Sequence, residues 1–150
     1  MMKWIFLSLV GFAGAVLAHN HEKGDLQIRH PWARATPPGA TVGAGYLEIR
    51  NNGSQPDRLL SASTPVAKRV EMHVTEHAAE VAKMRQLRAI EIPARERLAL
   101  SPGGAHLMLV DLARPLKKGE RIGMTLRFER AGEMEVQFEV QEMGARHPRH

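Results

Sequence analysis

The sequence predicts an all-β domain of the Greek-key sandwich or barrel type. Two observations point there: short segments in which apolar and polar residues alternate, and turn-forming clusters that interrupt them at intervals of roughly ten residues. Seven to nine short strands in about 120 residues are what such an architecture needs. No internal repeat, heptad or low-complexity run competes with that reading.

At the amino terminus, Lys3 precedes a mostly apolar run from Trp4 to Val10 and then Gly11-Phe12-Ala13-Gly14-Ala15-Val16-Leu17-Ala18, which reads as a secretory signal peptide over 1–18. Val16 and Ala18 are the small residues wanted before a cleavage point that leaves His19 first. The apolar run is shorter than the ~20 residues of a spanning helix, so no stable membrane insertion is expected after cleavage. Residues 19–24 are polar and are expected to be a flexible extension. The folded domain is expected over 25–141, with strands at 26–33, 43–50, 58–62, 69–75, 81–88, 97–100, 105–112, 123–129 and 134–140. Thr36-Pro37-Pro38-Gly39, Asn51-Asn52-Gly53, Ser101-Pro102-Gly103-Gly104 and Lys117-Lys118-Gly119 separate them, supplying proline-fixed φ or glycine's freedom at positive φ. The tail, 142–150, is polar, contains Met143, His147 and His150, and has too little apolar content to pack.

Composition narrows the chemistry. A chain of 150 residues holds about one domain, and its lack of cysteine removes disulfides, thiolate zinc sites, iron–sulfur clusters and thiol catalysis. The net charge of +5 is dispersed, as in Arg127-Phe128-Glu129-Arg130, so neither nucleic acid nor an anionic membrane is expected as partner. Eight histidines and eight methionines stand beside one tyrosine and two tryptophans. Ordinary core packing does not call for that balance.

Strand parity sorts these residues. In 69–75, Val70, Met72 and Val74 share one face, while Glu71, His73 and Thr75 share the other. In 105–110, Leu107 and Leu109 take the packed face and His106 and Met108 lie together opposite. Met84 sits between Lys83 and Arg85, an odd setting for a core residue and a natural one for a surface ligand. A site of His73, Met84, His106 and Met108 would join two imidazoles to two neutral, polarisable thioethers, a set that suits Cu(I) and serves zinc, calcium or magnesium poorly. Met124 and Met134 fall in alternating strands and are expected to pack; Trp32 reads as a core aromatic and His30 as structural or exposed.

The spacing of the four residues, H-x10-M-x21-H-x-M, resembles the signature of the PCuAC-type periplasmic copper chaperones. The flanks are similar too: Pro31-Trp32-Ala33-Arg34-Ala35-Thr36-Pro37-Pro38-Gly39, Gly45-Tyr46-Leu47, Asp57-Arg58-Leu59-Leu60, Glu71-Met72-His73 and Pro102-Gly103-Gly104-Ala105-His106-Leu107-Met108. The resemblance spans 26–140 and implies a cupredoxin-like or immunoglobulin-like sandwich, Cu(I) held by those four residues, a periplasmic location, and delivery to a copper-accepting protein such as a cytochrome oxidase subunit or another copper chaperone. No catalytic turnover is expected. The alternatives are a scavenger of excess copper and a copper-dependent oxidoreductase built on an amino-terminal His19.

Two other constellations remain. His73-Val74-Thr75-Glu76-His77 spells the inverted zinc-peptidase motif, which needs a helix, whereas Val74 and Thr75 favour a strand. Cleavage after Ala18 would expose His19-Asn20-His21, whose terminal amine, two backbone amides and third-residue imidazole can surround Cu(II) in a square plane. With Met143, His147 and His150 these form a candidate second site for Cu(II) at the termini.

Overall fold

The computed structural model describes residues 20–149. The signal segment, His19 and His150 lie outside them. Eleven strands occur among the described residues: β1 (Asn20–Lys23), β2 (Leu26–Arg34), β3 (Val42–Asn51), β4 (Asp57–Ser63), β5 (Ala67–Ala78), β6 (Val81–Leu87), β7 (Ile90–Ile92), β8 (Arg97–Leu100), β9 (Ala105–Leu112), β10 (Arg121–Phe128) and β11 (Gly132–Gln141). The all-β expectation holds. Both layers of the sandwich belong to one hydrogen-bonded sheet in the order β6-β5-β9-β3-β2-β11-β10-β4-β7, with β1 added to β2 and β8 to β3. The sheet is mixed, because β11 runs parallel to β2 while its neighbours are antiparallel. It turns back on itself around one core, to which β2–β5 and β7–β11 all contribute, including Ile28, Ile49, Leu59, Leu107, Leu126 and Phe138.

That core arises from period-two alternation. On β10, Ile122, Met124, Leu126 and Phe128 are buried and pair along β11 with Phe138, Val136, Met134 and Gly132. Met72, Leu107 and Leu109 are buried with them, as parity predicts, and Met124 and Met134 are packing residues. Gly53 is required by a close approach: a β-carbon there would collide with the Asp25 carboxylate and stand 2.8 Å from Asp25 Cβ.

Four expectations change. Residues 20–23, expected to be loose, form β1 and pair with β2 from Asn20↔Arg29 to Lys23↔Leu26; backbone hydrogen bonds hold this polar strand, joined by Lys23 Nζ donating to the Glu133 carbonyl and Gln27 Nε2 to Glu22. The tail, expected not to pack, buries Ala145 against Trp32 and Tyr46. Trp32 is buried, yet in this second cluster on the outer face and not in the main core. The strand β7 is absent from the sequence-based expectation, three residues being too few to display alternation, although Ile90 and Ile92 are both buried. His30 is half-buried at a φ of 49°, inside the β2–β3 register shift between Arg29 and Trp32.

Candidate metal centre

Two antiparallel ladders bring the four sequence-predicted ligands to one face. Between β5 and β9, His73 stands directly opposite His106 and Glu71 opposite Met108. Between β5 and β6, Thr75 stands opposite Met84 and His73 opposite Gln86. Directly opposed residues project to the same side of a sheet, so all four share the side away from Leu107 and Met72. The imidazoles of His73 and His106 stack with centroids 6.0 Å apart and planes 23° from parallel. His106, Met84 and Met108 line one open cavity of about 450 Å³, together with Tyr46, Thr75 and Met143.

The outward face is thus not a solvated one at this point. His106 is buried, with the Tyr46 ring 6.4 Å from it and Trp32 against Tyr46 at 4.6 Å, the two planes tilted by 36°. Met108 and His73 are half-buried, and Met84, on the projecting β5–β6 hairpin, is 59% exposed. Burial pushes the Tyr46 phenol up, against the pull of the Arg34 guanidinium 5.6 Å from its ring centre.

Hydrogen bonds orient the two imidazoles differently. His106 Nδ1 lies 3.1 Å from the Gly104 carbonyl, which can only accept, so Nδ1 carries the proton and Nε2 keeps its lone pair. His73 Nε2 lies 2.8 Å from Glu71 Oε2, which puts the proton on Nε2 and leaves Nδ1 as the basic nitrogen. That Nδ1 is buried and has no hydrogen-bond partner among the described residues. Arg29 Nε and Glu48 Oε1 are buried without partners as well, but their side chains form an ion pair at 3.9 Å. Glu71 also accepts a 2.9 Å hydrogen bond from Arg69 Nε; Arg69 first and His73 second hold its carboxyl below the ordinary range.

Sequence reasoning missed Glu71 here and placed Met143 with the termini, away from the other three cavity residues. Glu71 shares its strand face with His73 two positions on, so period two could have found it; Met143 arrives through the folding of the tail, which no local pattern announces. His21 and His147 are not brought together, and His19 and His150 lie outside the described residues. His21 lies on β1 with Nε2 3.5 Å from the Gln137 amide, while His147 lines other cavities, beside Arg34 and Pro102 on one side and Trp32 and Leu47 on the other. For Asn20 and His21 to chelate Cu(II) through their amides, the start of β1 would have to leave β2. The zinc-peptidase reading fails, since His73 and His77 lie along a strand, and no cluster of three or more His, Cys, Asp or Glu able to hold a metal occurs among the described residues.

Residues 26–140 match the family model described as LpqE-like, a lipoprotein family. Lxx21020 of Leifsonia xyli subsp. xyli (strain CTCB07), itself named as a lipoprotein, is 34% identical over 131 residues, covering 83% of this chain and 76% of its own. The chain belongs to the LpqE-like family. Among solved structures, the copper-bound PCuAC domain from PmoF2 superposes with a TM-score of 0.72 at 32% identity, over 83% of this chain and 98% of that one. The CuI-DR1885 structure from Deinococcus radiodurans gives a TM-score of 0.63 at 32% identity, over 86% and 83%. The LpqE-like chain therefore has the fold of PCuAC domains.

Proposed function

We propose that this LpqE-like protein is an exported copper chaperone that holds one Cu(I) with His73, Met84, His106 and Met108. The observation that supports it most is the unpartnered, buried His73 Nδ1. Leaving such an atom bare costs on the order of 1–3 kcal/mol unless something binds it. A soft cation beside it, reached also by His106 Nε2 and two thioethers, would meet that need. Neutral sulfur favours Cu(I) over harder divalent ions. Glu71 and the Gly104 carbonyl are the outer partners that fix tautomer and ring orientation in metal-bound histidines. The similarity to PCuAC domains solved with copper supports the same cargo.

Carriage fits better than catalysis or storage. Four protein ligands leave no open position for a substrate, whereas catalytic metals keep one. Met84 stands exposed on a projecting hairpin, where an incoming ligand from another protein can displace it. The acceptor is a copper-receiving protein of the envelope, a cytochrome oxidase subunit or a further copper chaperone, and the location is the periplasm.

The test is a competition titration of the Met84→Ala, Met108→Ala double variant against a Cu(I) chelator under reducing conditions. Affinity should fall by more than about tenfold, with the far-ultraviolet circular dichroism of the β-sheet unchanged, because neither residue belongs to the main core. Equal affinity in variant and wild type would refute the ligand assignment. Loss of oxidase activity in a null strain when copper is scarce, in place of sensitivity when it is abundant, separates chaperone from scavenger.

A further inference from the structure

The six methionines among the described residues fall into two groups. Met72, Met124 and Met134 are buried in the main core. Met84, Met108 and Met143 all line the same cavity, beside His106. Met84 and Met143 are 59% and 58% exposed, and they are two of the four large hydrophobic residues exposed among the described residues. Met143 lies in the tail, which β11 does not continue, and its position is set by the packing of Ala145 two residues later. Ala145 is buried on Trp32 and Tyr46, its carbonyl accepts a 2.9 Å hydrogen bond from Arg34 Nε, and its amide donates to the Glu142 carbonyl at 3.1 Å, closing a turn with Met143 and Gly144 inside. Arg149 pairs with Glu142 across the same strap. An unbranched thioether is thereby held against the cavity, where it belongs to neither buried hydrophobic cluster and fills no core gap.

We propose that Met143 is a further Cu(I) thioether, brought to the metal by the carboxy-terminal strap and able to stand in for Met84 while the metal is exchanged. This rests on the Cu(I) reading of the cavity. Soft sulfur at both sides of the mouth lets the ion keep its coordination number when one thioether yields to an acceptor's ligand. Met143 sits on the turn closed between Glu142 and Ala145, outside any strand ladder, so its side chain is not held in place by cross-strand pairing. The assignment also removes Met143 from the candidate Cu(II) set with His147, whose cavity lies on the other side of Arg34 and Pro102.

The experiment uses the full mature chain labelled with carbon-13 at the methionine methyls, titrated with Cu(I) under reducing conditions; Cu(I) is diamagnetic, so each methyl resonance can be followed. The Met84, Met108 and Met143 signals should shift together, with those of Met72, Met124 and Met134 serving as internal controls that stay in place. Affinity in the Met84→Ala, Met143→Ala double variant should then fall by about a further tenfold relative to Met84→Ala, and Met143→Ala alone should release Cu(I) to a chelator several-fold faster. A Met143 methyl that stays in place while Met84 and Met108 shift, or a double variant no weaker than Met84→Ala, overturns this inference and leaves the four-residue site standing. If no methionine methyl at the cavity responds, both readings fall.

Discussion

Glu71 joins a guanidinium to an imidazole along a single strand face. Its two oxygens accept from Arg69 at 2.9 Å and His73 at 2.8 Å, and Arg69 continues to Asp111 at 3.3 Å. As a surface ion-pair chain it adds little to stability, since exposed pairs are worth about 0–1 kcal/mol. Its effect is orientation: the carboxylate keeps the proton on His73 Nε2 and the other ring nitrogen basic. Glu71→Gln should therefore lower Cu(I) affinity by about tenfold while leaving the thermal midpoint at neutral pH nearly unchanged. Paired chelator competition and thermal unfolding check this, and an unaltered affinity would remove Glu71 from the site. His73, His106 and Met108 are readable from parity because each sits on a strand whose other face is core. Met143 is not readable, since its place depends on Ala145 finding Trp32, an encounter between residues far apart in sequence.

Asp57 ties one element to another. At the start of β4 it is buried, and its Oδ1 accepts from the Arg58 and Arg130 amides at 2.8 and 2.9 Å while Oδ2 accepts from the Ala131 amide at 3.0 Å. The turn between β10 and β11 is thus clamped to β4 through the Arg130 and Ala131 amides. Asp57→Ala strands these amides and should destabilise the fold by on the order of 3 kcal/mol, read from the shift of a urea unfolding midpoint; a shift under about 1 kcal/mol would mean that water replaces the carboxylate. Among the elements, nine strands are legible within a few residues because alternation marks them. β1 and β7 are not: Asn20-His21-Glu22-Lys23 has no apolar period, and Ile90-Glu91-Ile92 is one repeat long. In the exposed outer half of the β5–β6 hairpin the sequence predicts the β6 side but ends the β5 side at Thr75, whereas β5 runs on to Ala78, because strand character there comes from cross-strand pairing.

At the scale of the molecule, acid should loosen the fold through carboxylates held in their charged form. Glu120 is held below its ordinary value of 4.5, first by the Lys117 amide at 2.7 Å and then by Arg114 at 2.8 and 2.9 Å, and its backbone pairs with Val140 on β11. A carboxyl whose folded pKa lies below its unfolded one contributes stability that is complete above the unfolded value and disappears as pH falls through the folded one. Glu71 acts in the same direction. The urea midpoint should hold from neutrality to about pH 5 and decline below about pH 4, with Glu120→Gln less stable at neutrality and declining less steeply; parallel curves for the two proteins would exclude Glu120. Alternation cannot reveal the closure of two layers into one sheet, because the parallel β11–β2 ladder joins Glu139 to Trp32 and Gln141 to Arg34, partners with no local signature. The β5–β6 ladder carries a further consequence. Met84 reaches the cavity because it pairs with Thr75, two pairs outward from His73–Gln86 and on the same face, so its place is counted from the ladder and not along the chain. Two or four residues added evenly at the hairpin tip would leave every one of these pairs unchanged while lengthening the interval from histidine to methionine. Chains with an identical binding surface can therefore escape any search that fixes that interval, and such relatives are to be sought by cross-strand register instead.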